Sequence, residues 1–252
     1  MRHQHTNVSR RMNGKQTSKP IKRTTSYERS RQRRSPTRVN KEKQVGMQKA
    51  IAEKDAMLSE LRHRIKNSLT VITSLVSLEA DYASETKTRE SLERVMNRVT
   101  SVAKLYELLA ESGEMREVQL SEYLRQIVAS LFASYSPRGG AIDLRVQCEK
   151  IVLNVRQAAP LGLIVNELVT NAFKHGFPNH EGGTVSVLLH QQDRTITLEV
   201  SDNGKHLPPD FTVEGSCGLG LQIVQMLATQ LGGKMEVVHS PAAFRLAFKA
   251  AA

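Results

Sequence analysis

The sequence lacks any apolar run long enough to cross a bilayer. Such a run needs about 20 consecutive apolar residues, and the strongest candidate, residues 69–78, is interrupted by threonine and serine. This absence argues against a membrane-spanning helix. It predicts a soluble protein without membrane insertion.

Cysteine is also scarce. The two cysteines, Cys148 and Cys217, lie far apart, with no histidine cluster near them at the spacing of a metal site. The sequence therefore indicates neither a disulfide framework nor a zinc site. This cysteine content fits a reducing compartment, and we expect the protein to be cytoplasmic.

Apolar residues are sparse in residues 1–45, where positive charge is concentrated. This segment holds 14 lysines and arginines against Glu28 and Glu42, a net charge of +12, whereas the whole chain carries +11. We predict a disordered basic tail, because such a composition cannot bury enough apolar surface to offset its chain entropy. It is interpreted as a solvated tail, or as sequence upstream of a start at Met47 or Met57. Contact with nucleic acid or an anionic surface stays open as the alternative.

Residues 46–112 show helical periodicity. Apolar residues recur every seven positions, at Ile51, Leu58, Ile65 and Ile72. A second apolar stripe runs from Leu92 to Leu109, after a polar link at residues 79–87. The pattern predicts an antiparallel helical hairpin. Because one hairpin offers too little partner surface for these stripes, we expect a homodimer in which two hairpins form a four-helix bundle.

Residues 113–252 mix helix and strand patterns. Helices are predicted over Leu120–Tyr135, Pro160–His175 and Gly218–Leu231. Strands are predicted at Ile142–Val146, Ile151–Val155, Thr184–Leu189, Thr195–Val200, Met235–Val238 and Phe244–Phe248. The whole chain is therefore predicted to be α+β, a helical hairpin followed by an α/β sandwich with helices on one face of a mixed sheet.

A histidine lies on the polar side of the first predicted helix, in the segment ELRHRIKNSL. Helical geometry turns His63 about 120 to 180° away from the apolar seam. Histidine has a neutral, nucleophilic nitrogen near pH 7, and an exposed one on a rigid helix can meet two partners in turn. His63 is therefore a candidate phosphoryl acceptor, with an ordinary surface histidine as the alternative.

The chain has no Walker motif of the form Gly-x4-Gly-Lys-Ser/Thr. Instead, the helix predicted within LGLIVNELVTNAFKHGFP gathers four polar residues within an arc of about 100°. They are Glu167, Asn171, Lys174 and His175. The amide oxygen of Asn171 suits Mg²⁺, and Lys174 can meet phosphate charge. A solvated helix face is the alternative, although two asparagines inside a helix have poor propensity and favour another explanation.

Two glycine segments follow. The segment VSDNG ends a predicted strand, and its Asp202 is a candidate acceptor for the amino group of adenine. The segment GLGLQIV opens a helix at Gly218, where free backbone N–H groups can bind phosphate. A lone Gly-x-Gly is a weak signal, but three elements in fixed order are a strong one.

The segments ELRHRIKNSL, NELVTNAFKH, DNG and GLGLQIV, in this order, resemble the HWE-like histidine kinases, whose phosphoacceptor box reads His-Arg-x-Lys-Asn. The nucleotide-binding part resembles the GHKL, or Bergerat-fold, ATPases, and the resemblance covers about residues 55–248. It implies a protein histidine kinase of a two-component system, which phosphorylates His63 with ATP and passes the phosphoryl group to an aspartate of a response regulator receiver domain.

The resemblance also implies a role for each motif residue. These roles are Asn171 as the Mg²⁺ ligand, Glu167 beside the metal and the γ-phosphate, Lys174 and His175 near the phosphates, Asp202 and Gly204 at adenine, and Gly218 with Gly220 at the hinge of a lid.

The sequence departs from the family pattern in the lid and near the C-terminus. His206 stands where a second glycine is expected, residues 205–217 form a short lid, and residues 241–244 replace a Gly-Thr pair. These departures leave open a histidine phosphotransferase with a degenerate ATP-binding domain. Two further alternatives are a dimeric DNA-associated protein acting through its basic tail and a serine kinase of the anti-sigma type, which has no need of the hairpin.

Overall fold

The structure, a computed structural model, describes residues 36–111, 117–135, 142–177, 182–213, 215 and 218–251. Its helices are α1 (Pro36–Tyr82), α2 (Thr86–Glu111), α3 (Leu120–Tyr135), α4 (Val155–Asn171) and α5 (Leu219–Gln230). Its strands are β1 (Glu117–Gln119), β2 (Ile142–Cys148), β3 (Val152–Asn154), β4 (Gly183–Gln192), β5 (Thr195–Asp202), β6 (Lys234–His239) and β7 (Ala242–Lys249). Most of the predicted basic tail, residues 1–35, lies outside the described residues.

The hairpin helices differ from the prediction at their ends. Helix α1 begins at Pro36 rather than near Met47, so it includes the last residues of the segment predicted to be disordered. Proline suits the first turn of a helix, and the lysines and glutamates that follow favour helix without an apolar stripe. The chain reverses within residues 83–85, a shorter link than expected. No helix in the described ranges is both long and apolar enough to cross a membrane.

A five-stranded mixed sheet forms the centre of the α/β region. Its strand order is β2-β4-β5-β7-β6, with β2 and β4 parallel and the other pairs antiparallel. Alternate residues of β4 and β5, such as Val187 and Leu198, are buried in one core with residues of α3, α4 and α5. The predicted fold class, a helical region followed by an α/β domain with helices on one face of the sheet, is confirmed.

A two-stranded sheet connects the hairpin to α4. Strand β1 pairs antiparallel with β3, which places Glu117 opposite Asn154. The Asn154 side chain then caps α4 by accepting a hydrogen bond from the N–H of Gln157 at 3.1 Å. The sequence did not reveal β1, since three residues are too few to show an alternating pattern.

Helix α2 contributes to the core of the α/β region. Leu105 and Leu109 are buried in the same cluster as residues of α3 and α4, and the hydroxyl of Tyr123 donates to the carbonyl of Ser101 at 3.1 Å. The assignment of the whole α2 stripe to a bundle seam is therefore wrong for these two leucines. They pack against α3 and α4, which supply apolar surface that no local sequence pattern reveals.

Candidate functional site

A cavity of about 570 Å³ opens between the end of α4, the end of β5 and the start of α5. Six of the nine predicted site residues line it, namely Asn171, Lys174, His175, Asp202, Gly218 and Gly220. They come from three separate sequence motifs. The fold brings these motifs together because α4 and α5 pack side by side over the same part of the sheet.

The end of α4 widens into a π-helical turn, Ala172–Gly176, which carries Lys174 and His175. The Lys174 ammonium is buried and has no hydrogen-bond acceptor among the described residues. It lies 3.9 Å from Glu90 Oε2 and 5.3 Å from the centroid of the Tyr135 ring. A buried ammonium without a hydrogen bond is costly. Lys174 is therefore suited to bind an anion such as phosphate.

Asp202 lies at the end of β5 and lines the cavity. Burial raises the pKa of its carboxyl group, and this effect is opposed by the N–H of Gly204, which donates to Asp202 Oδ1 at 3.0 Å, and by the nearby His206. A partly buried carboxylate at a cavity wall is a strong acceptor for a ligand N–H group. The amino group of adenine is such a donor.

Gly204 does not line the cavity and instead shapes its wall. A Cβ at this position would lie 2.1 Å from the carbonyl oxygen of Gly176, and the next residue, Lys205, donates its N–H to the same oxygen at 2.8 Å. Only glycine permits this approach of the turn to the end of α4. Gly204 therefore holds the turn that follows Asp202 against the end of α4, and its expected place at adenine stays a prediction.

The start of α5 leaves backbone donors available. Gly218 is the N-cap residue and provides no side-chain hydrogen bond to the first turn. Free N–H groups at a helix start attract anions. At Gly220 a Cβ would lie 2.7 Å from Glu167 Oε2, so glycine allows α5 to approach the carboxylate of α4 closely.

The segment after β5 covers one side of the cavity. His206 and Phe211 line it, and the ring of Phe211 packs edge-on against Phe244 with 6.1 Å between ring centroids. Leu207 donates its N–H to the His239 carbonyl at 3.2 Å, which ties this segment to β6. The two phenylalanines were missed from sequence because isolated aromatic residues are read as core residues.

Glu167 is buried outside the cavity lining rather than presented on a solvated face. Arg98 of α2 donates to both of its carboxylate oxygens, with Nε–Oε1 at 2.7 Å and Nη2–Oε2 at 2.9 Å. Asn166, beside it, donates to the carbonyl of Asn97 at 3.1 Å and to the hydroxyl of Ser101 at 2.9 Å. Of the two asparagines within α4, only Asn171 reaches the cavity. No sequence signal identified Arg98, since an arginine in an amphipathic helix is unremarkable.

His63 is exposed on α1, as predicted. Lys66 pairs with Glu107 of α2, so His63 lies level with about residue 110 of that helix. Arg98 lies about 12 residues away along α2, which corresponds to about 18 Å at the rise of an α-helix. His63 and Glu167 are therefore at different levels of the hairpin.

A metal ion in this cavity would have few protein ligands. In the part of the chain that the structure describes, no group of three or more histidine, cysteine, aspartate or glutamate side chains is placed to hold a metal. Mg²⁺ commonly keeps several waters and takes few protein ligands beside substrate phosphates. Asn171 lines the cavity, and its amide oxygen would suit such an ion.

Two family models match the chain. Residues 60–135 match the model described as histidine kinase, and residues 156–251 match the model described as histidine kinase-, DNA gyrase B- and HSP90-like ATPase. The two matches occur in the order expected from the sequence motifs and include His63 and all the residues of the cavity named above.

Curated relatives are named as histidine kinases. The sensor histidine kinase PdtaS of Mycolicibacterium smegmatis is 32% identical over 199 residues, which cover 77% of this chain and 39% of that protein. Blue-light-activated histidine kinase 2 of Erythrobacter litoralis is 30% identical over 196 residues, which cover 74% of this chain and 54% of that protein. The chain thus spans about two fifths to one half of these relatives.

A solved structure shares the fold. The histidine kinase domain of a blue-light-activated histidine kinase from Erythrobacter litoralis aligns with a TM-score of 0.59 and 26% identity, covering 79% of this chain and 93% of that one. The family matches, the relatives and this structure agree with one another, and they place the chain among the histidine kinases with a GHKL-type ATPase domain.

Proposed function

We propose that this chain transfers the γ-phosphoryl group of ATP to His63 and then to an aspartate of a response regulator receiver domain. The observation that carries the proposal is the cavity, in which residues of three distant motifs meet. Asn171 and Lys174 lie on one wall, Asp202 lies on another, and the start of α5 completes it. The boundaries 46–112 for the phosphotransfer hairpin and 113–252 for the ATP-binding domain are part of this proposal.

In the proposed reaction, a neutral ring nitrogen of His63 attacks the γ-phosphorus. A nitrogen–phosphorus bond forms, the bond to the bridging oxygen breaks, and ADP leaves. The other ring nitrogen gives its proton to water, which reaches the exposed His63. Lys174 and the N–H groups at the start of α5 stabilise phosphate charge, while Asp202 orients the base. Mg²⁺, held by Asn171, would neutralise charge on the phosphates when bound. Glu167 is assigned to the metal and γ-phosphate, and Gly218 and Gly220 to the lid hinge.

The hairpin supports the proposed homodimer. Leu61, Leu75 and Leu78 of α1 are between 52% and 57% exposed, and one side of such a helix is normally covered by a partner. A second copy of the hairpin offers a matching apolar surface. We place the protein in the cytoplasm, as the low cysteine content predicts, where a response regulator would accept the phosphoryl group.

The test is phosphorylation of the purified protein with γ-labelled ATP and Mg²⁺. We expect a label that is acid-labile and alkali-stable, as phosphohistidine is, and that disappears in His63→Gln. ATP binding should persist in this variant, because His63 is exposed and distant from the cavity. The matched control is His190→Gln, on the outer side of β4, which should label at the wild-type rate.

Two outcomes would replace the proposal. Acid-stable phosphoserine in place of phosphohistidine would indicate a serine kinase of the anti-sigma type. An absence of ATP binding at millimolar concentration would favour the phosphorelay alternative, in which His63 receives its phosphoryl group from another protein. The observation that favours this alternative is His206, which lines the cavity where the family has glycine.

A further inference from the structure

Two ion pairs join α2 to candidate site residues of α4 and the turn after it. In one pair α2 supplies the cation, and in the other it supplies the anion. Arg98 of α2 binds Glu167 through two hydrogen bonds, and Glu90 of α2 lies 3.9 Å from the ammonium of Lys174. Arg98 and Glu90 are about two turns apart on α2. Their partners lie seven residues apart, Glu167 on α4 and Lys174 on the π-helical turn that follows α4. The two helices are thus held together at matching positions.

Both pairs are sheltered from solvent on the α4 side. The Glu167 side chain is 4% exposed and that of Arg98 is 17% exposed, while the Lys174 side chain is 20% exposed. Beside the Arg98–Glu167 pair, Asn166 donates two hydrogen bonds to α2. The guanidinium occupies two of the roughly four lone-pair sites of this carboxylate and compensates its charge, which weakens the attraction of the carboxylate for a second cation.

The residues held by α2 are those assigned to the reacting end of ATP. Glu167 is proposed to act beside the metal and the γ-phosphate, and Lys174 near the phosphates. The described arrangement directs the Lys174 ammonium toward Glu90 and the ring of Tyr135. The nucleotide phosphates and Glu90 therefore compete for Lys174, and a metal ion on the nucleotide and Arg98 compete for Glu167.

The position of His63 leads to the same conclusion. Phosphoryl transfer needs its reacting atoms about 3 to 3.5 Å apart. His63 lies about 18 Å further along the hairpin than Arg98, by the helical rise. With α4 docked on this part of α2, a γ-phosphate beside Glu167 does not reach His63 of the same chain.

We propose that Arg98 and Glu90 form a latch that holds this kinase in a resting state. The latch withholds Glu167 and Lys174 from the nucleotide. Phosphorylation of His63 requires α4 to move from its docked position on α2, which also gives up the packing of Leu105 and Leu109 against α3 and α4. The inference rests on the proposed function. Because coupling between two binding events is reciprocal, nucleotide that engages Glu167 weakens the latch, and a weaker latch favours nucleotide binding.

The first test compares two arginines of α2. Arg98→Met removes the latch cation but keeps much of its apolar volume, whereas Arg89→Met removes an exposed arginine of α2 that donates to the carbonyl of Ala83 in the chain reversal. We expect the initial rate of His63 phosphorylation to rise roughly 5-fold or more in Arg98→Met, the lower end of usual coupling between sites. Arg89→Met should stay within about 2-fold of wild type. Arg98→Lys, which keeps the charge but not the forked geometry, should fall between them.

A gain in rate separates a latch from a structural role, because damage to the fold lowers activity. An Arg98→Met protein that binds a fluorescent ATP analogue normally but labels at or below the wild-type rate would overturn the latch. That result would make Arg98 a residue that positions Glu167 for catalysis.

The second test locks the two helices reversibly, and it does not depend on the stability of Arg98→Met. Ser101→Cys and Asn166→Cys replace side chains that are in hydrogen-bond contact, in a background in which Cys148 and Cys217 are serine. The oxidised protein should lose at least nine tenths of its His63 labelling, and a reductant should restore it. Equal labelling of the oxidised and reduced forms contradicts the latch.

The two tests also separate this inference from the proposed function. If wild type labels on histidine and neither Arg98→Met nor the disulfide changes its rate, the latch is wrong and the kinase assignment stands. If ATP binds but neither wild type, nor Arg98→Met, nor the reduced double-cysteine protein labels on histidine, the kinase assignment is wrong and the latch falls with it. Label in Arg98→Met but not in wild type supports both.

Discussion

The α/β region and the first hairpin helix differ in how completely each buries its own apolar residues. Leu198 of β5 and Ile164 of α4 are fully buried, and the sheet and helices around them complete one core. On α1, Leu75 and Leu78 are 57% and 54% exposed. The first region supplies its own partner surface, whereas α1 presents apolar surface that a second molecule can cover.

Helix α2 is intermediate between α1 and the α/β region in how far its apolar residues are buried. Its leucines at 105 and 109 are buried in the α/β core, while Val95, nearer the chain reversal, is 38% exposed. A helix predicted to belong to the hairpin is thus partly a component of the ATP-binding region. Changes in α2 are therefore expected to affect both regions, whereas changes in α1 affect mainly association.

The largest expected effect is on the core of the α/β region. Leu198→Ala should lower the free energy of unfolding by about 2 to 5 kcal/mol, because it removes buried methyl groups and leaves a cavity. Denaturant unfolding measures this change. The matched variant is Leu75→Ala, which should change the free energy of unfolding of the monomer by less than about 0.5 kcal/mol. A loss at Leu75 as large as that at Leu198 in dilute, monomeric protein would contradict the comparison.

The next effect is on nucleotide binding. Asp202→Ala should weaken ATP binding roughly 10 to 150-fold, since a hydrogen bond to a charged group contributes about 1.5 to 3 kcal/mol. Titration of a fluorescent ATP analogue measures the change. Asp143→Ala removes an exposed carboxylate of β2 and should bind like wild type.

The raised pKa of Asp202 makes this contribution depend on pH. Burial favours the protonated carboxyl, so the acceptor is lost as pH falls through a pKa above the usual aspartate value. ATP affinity should decrease over that pH range in wild type, and this decrease should be absent in Asp202→Ala. Identical pH profiles for the two proteins would show that Asp202 does not contact the base.

The raised pKa has the opposite effect on folding stability. Burial of the ionised carboxylate lowers the stability of the native state once the pH is above the raised pKa, so the loss of this carboxylate in Asp202→Ala should not lower the free energy of unfolding at pH 7.

The smallest expected effect is a difference in stability between alanine substitutions at two glycines near the cavity. Gly204→Ala should destabilise the fold by about 1 to 3 kcal/mol, because its Cβ would meet the backbone of Gly176 at 2.1 Å. A Cβ at Gly218 would meet nothing within 4 Å, so Gly218→Ala should cost less than about 1 kcal/mol, the usual difference between glycine and alanine at an N-cap. Thermal unfolding of both variants measures the difference. Equal losses would mean that the turn can move away from α4.

Elements with a strong pattern were predicted closely. Helix α3 has the predicted bounds, Leu120–Tyr135, and β4 and β5 contain the predicted strands. Elements with a weak pattern were not. Strand β1 is too short to alternate, and the first residues of α1 form a helix through propensity without an apolar face. An apolar periodicity in the sequence indicates that one side of a helix or strand is buried, and these segments have few buried residues to produce one.

The candidate site shows the same division. Local motifs predicted Asn171, Lys174 and His175 on one part of a helix, because spacing along a helix sets the direction of each side chain. No motif predicted Arg98 as the partner of Glu167, since the two residues are 69 positions apart and their ion pair requires α2 to pack on α4.

The sequence by itself determined the type of each long element, the polar side of α1 that exposes His63, and the residue types of the nucleotide cavity, because all of these follow from spacing within one segment. The tertiary structure alone decided that α2 shares the α/β core and that Glu167 and Lys174 face α2. These contacts join residues far apart in sequence. Their formation depends on which surfaces remain apolar or charged after each element has folded, and that is a property of the whole assembly of elements.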